Sequence, residues 1–285
     1  MSKGTLIPIG GNEDKGIEEN EQYTQEFISE GILYHVVKEA GGIEANIVVI
    51  PTASSIPVEV GENYIDAFTT LGCKNVTVLD IRSKEDSEKE ASIKLIKEAD
   101  CVMFSGGDQS KITNKIGGTT IHTILAHRYK NEEDFVIAGT SAGAMAMANE
   151  MIAGGSASEA FIKGAVDMYK GLNLIPELII DTHFIRRGRF GRQSEAVAKH
   201  PNLIGIGLAE DTGMIIKNGS DCTVIGSGMV IVFDGKKLTH NNEKILDEGT
   251  PMTMANLTVH VLSNSDMYSI KDRKVSVLAI DAPFI

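Results

Sequence analysis

Phe135-Val136-Ile137-Ala138-Gly139-Thr140-Ser141-Ala142-Gly143 is an apolar run that ends in a match to G-x-S-x-G. A serine on a sharp strand-to-helix turn needs small residues at both flanks, because larger side chains there collide with the neighbouring strands. Ala144-Met145-Ala146-Met147-Ala148 follows and is a good helix former, so the spacing predicts strand, turn and helix in succession. A serine held this way exposes its hydroxyl above a sheet edge, near the first amides of a helix that can stabilise an oxyanion. The plainer reading is a βα turn built of small residues for packing alone.

Outward from this stretch, short apolar runs rich in β-branched residues alternate with longer amphipathic segments. The runs are Thr5–Ile9, Ala45–Pro51, Asn75–Ile81, Ala99–Phe104, Phe135–Ala138, Leu174–Ile180 and Leu203–Ala209. Between the first five lie segments such as Glu21–Glu39, Val58–Leu71 and Ser83–Ala99, with apolar residues at three- and four-residue spacing. Strands alternating with helices predict an α/β fold with a mostly parallel central sheet covered by helices on both faces. After about residue 215 the pattern changes. Met214–Lys217, Cys222–Ile225, Met229–Asp234 and Leu257–Leu262 read as short strands punctuated by Gly, Asn and Asp, an antiparallel extension. With no Pro- or Ser-rich linker, residues 1–285 read as one domain whose mainly β extension covers roughly 215–285.

Composition narrows the function classes. The net charge of −12 argues against a nucleic-acid backbone as partner and suits cationic ligands, although plain solubility accounts for most of it. Cys73, Cys101 and Cys222 are scattered and lack metal spacing, which suits a reducing compartment and predicts no metal site. Met1–Gly11 reads directly into a strand without a signal-like apolar segment, and no run approaches a membrane span. The expectation is a cytoplasmic protein.

Ligands of open α/β sheets bind at the carboxyl ends of the strands. Four runs end in residues able to do chemistry: Ser105-Gly106-Gly107-Asp108-Gln109, then Ser141, then Asp181-Thr182-His183, then Glu210-Asp211. Among the seven histidines, His35, His122, His127 and His200 fall in or at the ends of helical segments, and His240 and His260 fall in the C-terminal part. Only His183 sits at a strand end in the α/β portion. Asp181, two residues before it, is too near in the chain to reach the far ring nitrogen comfortably. Glu210 is therefore the better orienting carboxylate, with Asp211 in reserve. A serine hydroxyl becomes a nucleophile when a base takes its proton and a carboxylate fixes that base. Gly106 and Gly107 allow the amides of their loop, at Gly107 and Asp108, to meet a substrate carbonyl, and the Ala142 amide can join them in an oxyanion hole.

Four of the seven arginines, Arg186, Arg187, Arg189 and Arg192, fall within seven residues directly after His183. Arginine suits bidentate carboxylate recognition, so this patch predicts a substrate with free carboxylates near the scissile bond. A solvated loop is the alternative.

Gly10-Gly11-Asn12-Glu13-Asp14, Ser105–Gln109, Gly139–Ala144, Asp181–Arg192 and Gly207–Asp211, in this order and at these spacings, resemble the cyanophycinases. These are serine peptidases of the dipeptidase E-like clan, and the likeness spans roughly residues 5–230. It implies a flavodoxin-like fold, a homodimer, no metal or organic cofactor, and hydrolysis of cyanophycin to β-aspartyl-arginine dipeptides. That polymer is a poly-aspartate backbone with arginine on each side-chain carboxyl. The resemblance makes Ser141 the nucleophile, His183 the base and Glu210 the third member. It makes Gln109, Asp181, Arg187, Arg189 and Arg192 residues of the substrate pocket. The order serine, histidine, glutamate differs from that of the related α-aspartyl dipeptidases. One position departs from the pattern. Thr182 stands where the family commonly has glutamine, so the sequence predicts a pocket filled differently there or another β-aspartyl peptide as substrate. The competing readings are a dipeptidase or amidase for short aspartyl or isoaspartyl peptides, and a non-catalytic binding relative.

Overall fold

In the computed structural model, which describes residues 2–17, 23–155 and 161–277, each parallel strand sends alternate side chains to opposite faces of one sheet. The strands are β1 (Thr5–Ile9), β2 (Asn46–Ile50), β3 (Asn75–Val78), β4 (Cys101–Phe104) and β5 (Val136–Thr140). Leu6, Val48, Ile50, Val102, Phe104 and Ile137 join one core, while Ile7, Ile9, Ile47, Val49, Met103 and Ala138 join the other. Burial on both faces is why the sequence shows continuous apolar runs rather than alternation. The first core is covered by α3 (Glu90–Glu98), α4 (Gln109–Ile116) and α5 (Thr120–Asn131) through Ile96, Ile112, Ile116, Ile121 and Leu125. The second is covered by α1 (Ile32–Glu39) and α2 (Pro57–Thr70) through Leu33, Val36, Tyr64 and Phe68.

The parallel strands lie in the order β3-β2-β4-β5-β1. This is the flavodoxin-like order with its last place filled by the first strand of the chain. The short α6 (Ala142–Met145) follows β5 directly, as the sequence predicts.

Helix starts differ from expectation. The segment read as helix from Glu21 becomes α1 only at Ile32, after turns that end at Gly31; residues 21 and 22 lie outside the described part. A Cβ at Gly31 would sit 2.8 Å from the Phe27 carbonyl oxygen. The segment read from Ser83 opens with a short 3-10 turn at Asp86–Glu88 before α3.

The larger difference concerns β8 (Leu178–Asp181) and β9 (Ile204–Leu208). The sequence suggests they extend the same rim as β4 and β5. They instead form a second, four-stranded sheet, in the order β15-β12-β9-β8, with β12 (Val230–Asp234) and β15 (Thr258–Leu262). The cause lies just after β9. The chain reverses at Asp211 (φ 45°), and β10 (Thr212–Lys217) pairs antiparallel with β1, Ile9 opposite Gly213. That pairing takes the edge β9 would have used. β11 (Asp221–Gly226), β16 (Met267–Ser269) and β17 (Lys274–Ser276) extend it to nine strands. The expected C-terminal strands thus complete both sheets. β6 (Glu150–Ile152) with β7 (Met168–Lys170), and β13 (His240–Asn241) with β14 (Met254–Ala255), make two short ribbons. α7 (Phe190–Lys199) crosses between the parallel β8 and β9. Among the described residues no helix is long and apolar enough to cross a membrane.

Candidate active site

Ser141 occupies the turn between β5 and α6 with φ 51° and ψ −111°. Such a conformation costs a non-glycine residue on the order of 1–3 kcal/mol, so its surroundings must enforce it. They do so by close contact. A Cβ on Gly139 would lie 2.7 Å from the Gly143 carbonyl carbon, and one on Gly143 would lie 2.6 Å from the Phe104 carbonyl oxygen. Both glycines of G-x-S-x-G are therefore sterically required.

The two sheets meet at this turn. The Ser141 hydroxyl lies 3.0 Å from His183 Nε2, and His183 Nδ1 lies 2.7 Å from Glu210 Oε1. The His183 and Glu210 side chains are 13% and 12% exposed, enclosed enough to hold their geometry yet open on one side. The end of β1 registers all three segments. The Ile9 carbonyl accepts the Ser141 amide at 2.9 Å, Gly10 accepts that of His183 at 2.8 Å, and Gly11 accepts that of Asp211 at 2.9 Å. Gly11 (φ 100°) also packs flat against the imidazole. Asn12, Ser141, His183 and Asp211 all have positive φ, so backbone strain concentrates here.

Electrostatics suit proton transfer. Burial lowers the His183 pKa and outweighs the hydrogen bond to Glu210 that raises it, with Arg187 lowering it further. The resting imidazole is thus neutral and able to accept a proton. Burial acts to raise the Glu210 pKa, but hydrogen bonds from His183 and Arg186 prevail and leave it lowered. The arrangement can pass the serine proton to Nε2 while Glu210 holds the other ring nitrogen.

Other residues singled out from the sequence have different surroundings. The exposed Gly107 amide has no acceptor among the described residues, and a Cβ there would meet the Ala53 carbonyl oxygen at 2.2 Å. Ala142 opens α6, so its amide has no acceptor within that helix. Asp108 does not fit the oxyanion expectation: its amide donates to the Ala53 carbonyl at 3.0 Å, and its carboxylate caps α4 at the Ser110 amide. The Gln109 side-chain amide is engaged by the Ile152 and Ala153 carbonyls, at 2.8 and 3.2 Å.

The arginine segment divides. Asp181 is fully buried and holds Arg192 through Nε (2.6 Å) and Nη2 (2.5 Å), together with Arg189 Nη1 at 2.9 Å. Arg189 also donates to the Thr182 carbonyl at 2.7 Å. Thr182 is buried, its hydroxyl 3.3 Å from Met145 Sδ, so the side chain that departs from the family pattern does not face a substrate. Asp181, Thr182 and Arg192 form an internal support rather than the expected pocket wall. A buried carboxylate needs such partners, and Arg192 lies in the first turn of α7, facing inward. Arg187 is exposed and has no ion pair among the described residues.

Two residues at the site have contacts that the sequence does not indicate. Arg186, within the cluster, donates to Glu210 Oε2 at 3.0 Å. Glu13 is 2% exposed and accepts from Thr140, the residue before Ser141. The Gly10–Asp14 motif contains Glu13, but nothing in the local pattern marks it as buried.

Comparisons with known proteins identify the family. The model of peptidase family S51 matches residues 20–224. A cyanophycinase of Trichormus variabilis is 37% identical over 274 residues, covering 96% of this chain and 88% of that protein. One from Geminocystis herdmanii is 34% identical and covers 94% of both. A crystal structure of a peptidase from an acI-B1 Actinobacterium superposes with a TM-score of 0.62 at 18% identity, covering 92% of this chain and 97% of that one, which supports the fold alone. The chain belongs to peptidase family S51, as a cyanophycinase-like, serine-type peptidase.

Proposed function

We propose that the protein hydrolyses the backbone of cyanophycin, with Ser141 as nucleophile, His183 as general base and acid, and Glu210 as the residue that orients His183. The observation that carries this reading is the unbroken relay Ser141 Oγ–His183 Nε2–Glu210 Oε1, at 3.0 and 2.7 Å. Ser141 Oγ bonds to the backbone carbonyl carbon as its proton passes to Nε2. The amides of Gly107 and Ala142 receive the developing oxyanion. Collapse breaks the C–N bond, and His183 returns the proton to the leaving amine. Water then attacks the acyl-serine ester by the same route in reverse, freeing the acid and restoring Ser141.

Arg187 supplies the exposed cation for the α-carboxylate that each side-chain arginine of the polymer leaves free near the scissile bond, while the partly buried Arg189 is held by Asp181. The family likeness supports β-aspartyl-arginine as product and a homodimer as the working form, the latter measurable by sedimentation.

Incubation of the purified protein with cyanophycin, with soluble products identified by mass, tests the substrate. Dipeptide release from insoluble granules is expected, and Ser141→Ala should reduce it at least ~1000-fold with the fold intact. Cleavage of soluble fragments alone, with granules untouched, would identify a dipeptidase. A chain that neither hydrolyses these substrates nor takes up a serine-directed phosphonate would be a binding relative.

A further inference from the structure

We propose that Glu13 is a positioning residue of this reaction centre: its buried carboxylate clamps Thr140, and with it the serine turn, to the loop that registers His183 and Glu210. The inference rests on the triad reading above and adds a residue to it.

Glu13 lies on the loop that follows β1 and is almost completely enclosed. Its Oε2 accepts from the Thr140 hydroxyl at 2.5 Å. Its Oε1 accepts from the Tyr64 hydroxyl of α2 at 2.5 Å and from Lys15 Nζ at 2.8 Å. Both oxygens are therefore engaged, by donors on three different segments. Thr140 is the last residue of β5 and precedes the strained Ser141. The same loop contributes the carbonyls of Gly10 and Gly11 that receive the amides of His183 and Asp211. It also places the Asp14 amide 3.0 Å from Asp211 Oδ1. Glu13 is thus the side chain that joins the nucleophile's strand to the register of its base and acid.

A buried charge is a costly way to brace a turn, and apolar packing would ordinarily do as well. What the carboxylate provides here is acceptor capacity for three donors at fixed angles. Glutamine in its place keeps one acceptor oxygen, so the hydroxyl facing its amide must turn from donating to accepting, and the charge that holds Lys15 is lost. Thr140 and Tyr64 could no longer both donate to a charged acceptor, and the weakened clamp would loosen the serine turn relative to Nε2. A displacement of about 1 Å between the reacting atoms reduces the chemical step while leaving substrate contacts in place.

The test measures steady-state turnover of cyanophycin per active site, counted by phosphonate titration of Ser141, in Glu13→Gln, Thr140→Val and their double variant. The expected result is a roughly 10- to 100-fold fall in kcat per titrated site with KM within about 3-fold. The double variant should be no more than about 3-fold worse than the poorer single variant, because the two changes break one contact. A merely structural Glu13 would lower the titratable fraction and the melting temperature but leave kcat per titrated site unchanged. Either that result or a double variant with fully multiplicative losses would overturn the proposal. If Glu13→Gln does not fold, Thr140→Val, which keeps the Glu13–Lys15 pair, decides by the same criterion. Undiminished turnover in Ser141→Ala would instead sink the triad reading on which the clamp depends.

Discussion

Replacing Gly11 by alanine drives a methyl carbon into the His183 ring. The added Cβ would lie 2.5 Å from both Cε1 and Nε2 and 3.2 Å from Nδ1. Carbon contacts relax near 3.5–4.0 Å, so the ring must retreat by about 1 Å. Its two hydrogen bonds, 3.0 Å to Ser141 and 2.7 Å to Glu210, cannot both survive that shift. A misplacement of about 1 Å costs on the order of 100-fold in rate, and that is the expected fall in kcat. The backbone contributes a separate penalty. At φ 100° a side chain adds roughly 1–3 kcal/mol of strain, which lowers the melting temperature by about 2–12 °C, at about 2–4 °C per kcal/mol. Typical native stabilities of about 5–15 kcal/mol leave the protein folded. The assay pairs turnover of cyanophycin with the rate of phosphonate labelling at Ser141 and a thermal melt. Activity and labelling both within about 3-fold of the parent, in a folded variant, would show that His183 does not work from this position.

Two further outcomes follow from the charges. Arg192→Ala strips the main partner from the fully buried Asp181 and should cost about 3–5 kcal/mol in chemical denaturation; a loss under about 1 kcal/mol would mean the pair is not a structural support. Because burial, assisted by Arg187, lowers the His183 pKa below 6.5, the acid limb of kcat/KM should fall below that pH. Removing a cation raises that pKa, so Arg187→Gln should move the limb to higher pH, and a fixed or downward shift in the pH–rate profile would contradict the assignment.

The parallel core was legible because both faces of β1, β2 and β4 are buried, which writes residues 6–9, 47–50 and 101–104 as unbroken apolar runs. The convergence of Ser141, His183 and Glu210 was legible because each follows the end of such a run. The division into two sheets was not, since it depends on a long-range choice: β10 pairs with β1, and β9 is left to find β12. Local pattern carries no record of that competition. The interior position of Asp181 and Arg192 was hidden for a similar reason. Two opposite charges eleven residues apart, one beside His183 and one in the arginine patch, read as pocket residues until tertiary packing pairs them in the interior. Asp108 turned on a single amide, whose acceptor on the Ala53 loop is set by the tight approach at Gly107.

Three loops far apart in the chain each take a bearing from consecutive carbonyls of one strand end. Such an arrangement uncouples the chemistry from the lengths of the intervening segments. Insertions or deletions outside those anchor points can reshape how a polymer is guided in, while the distances that govern bond breaking stay the same. Diversification among descendants of this architecture is thereby channelled to the approach surfaces, with the strand end serving as the fixed datum.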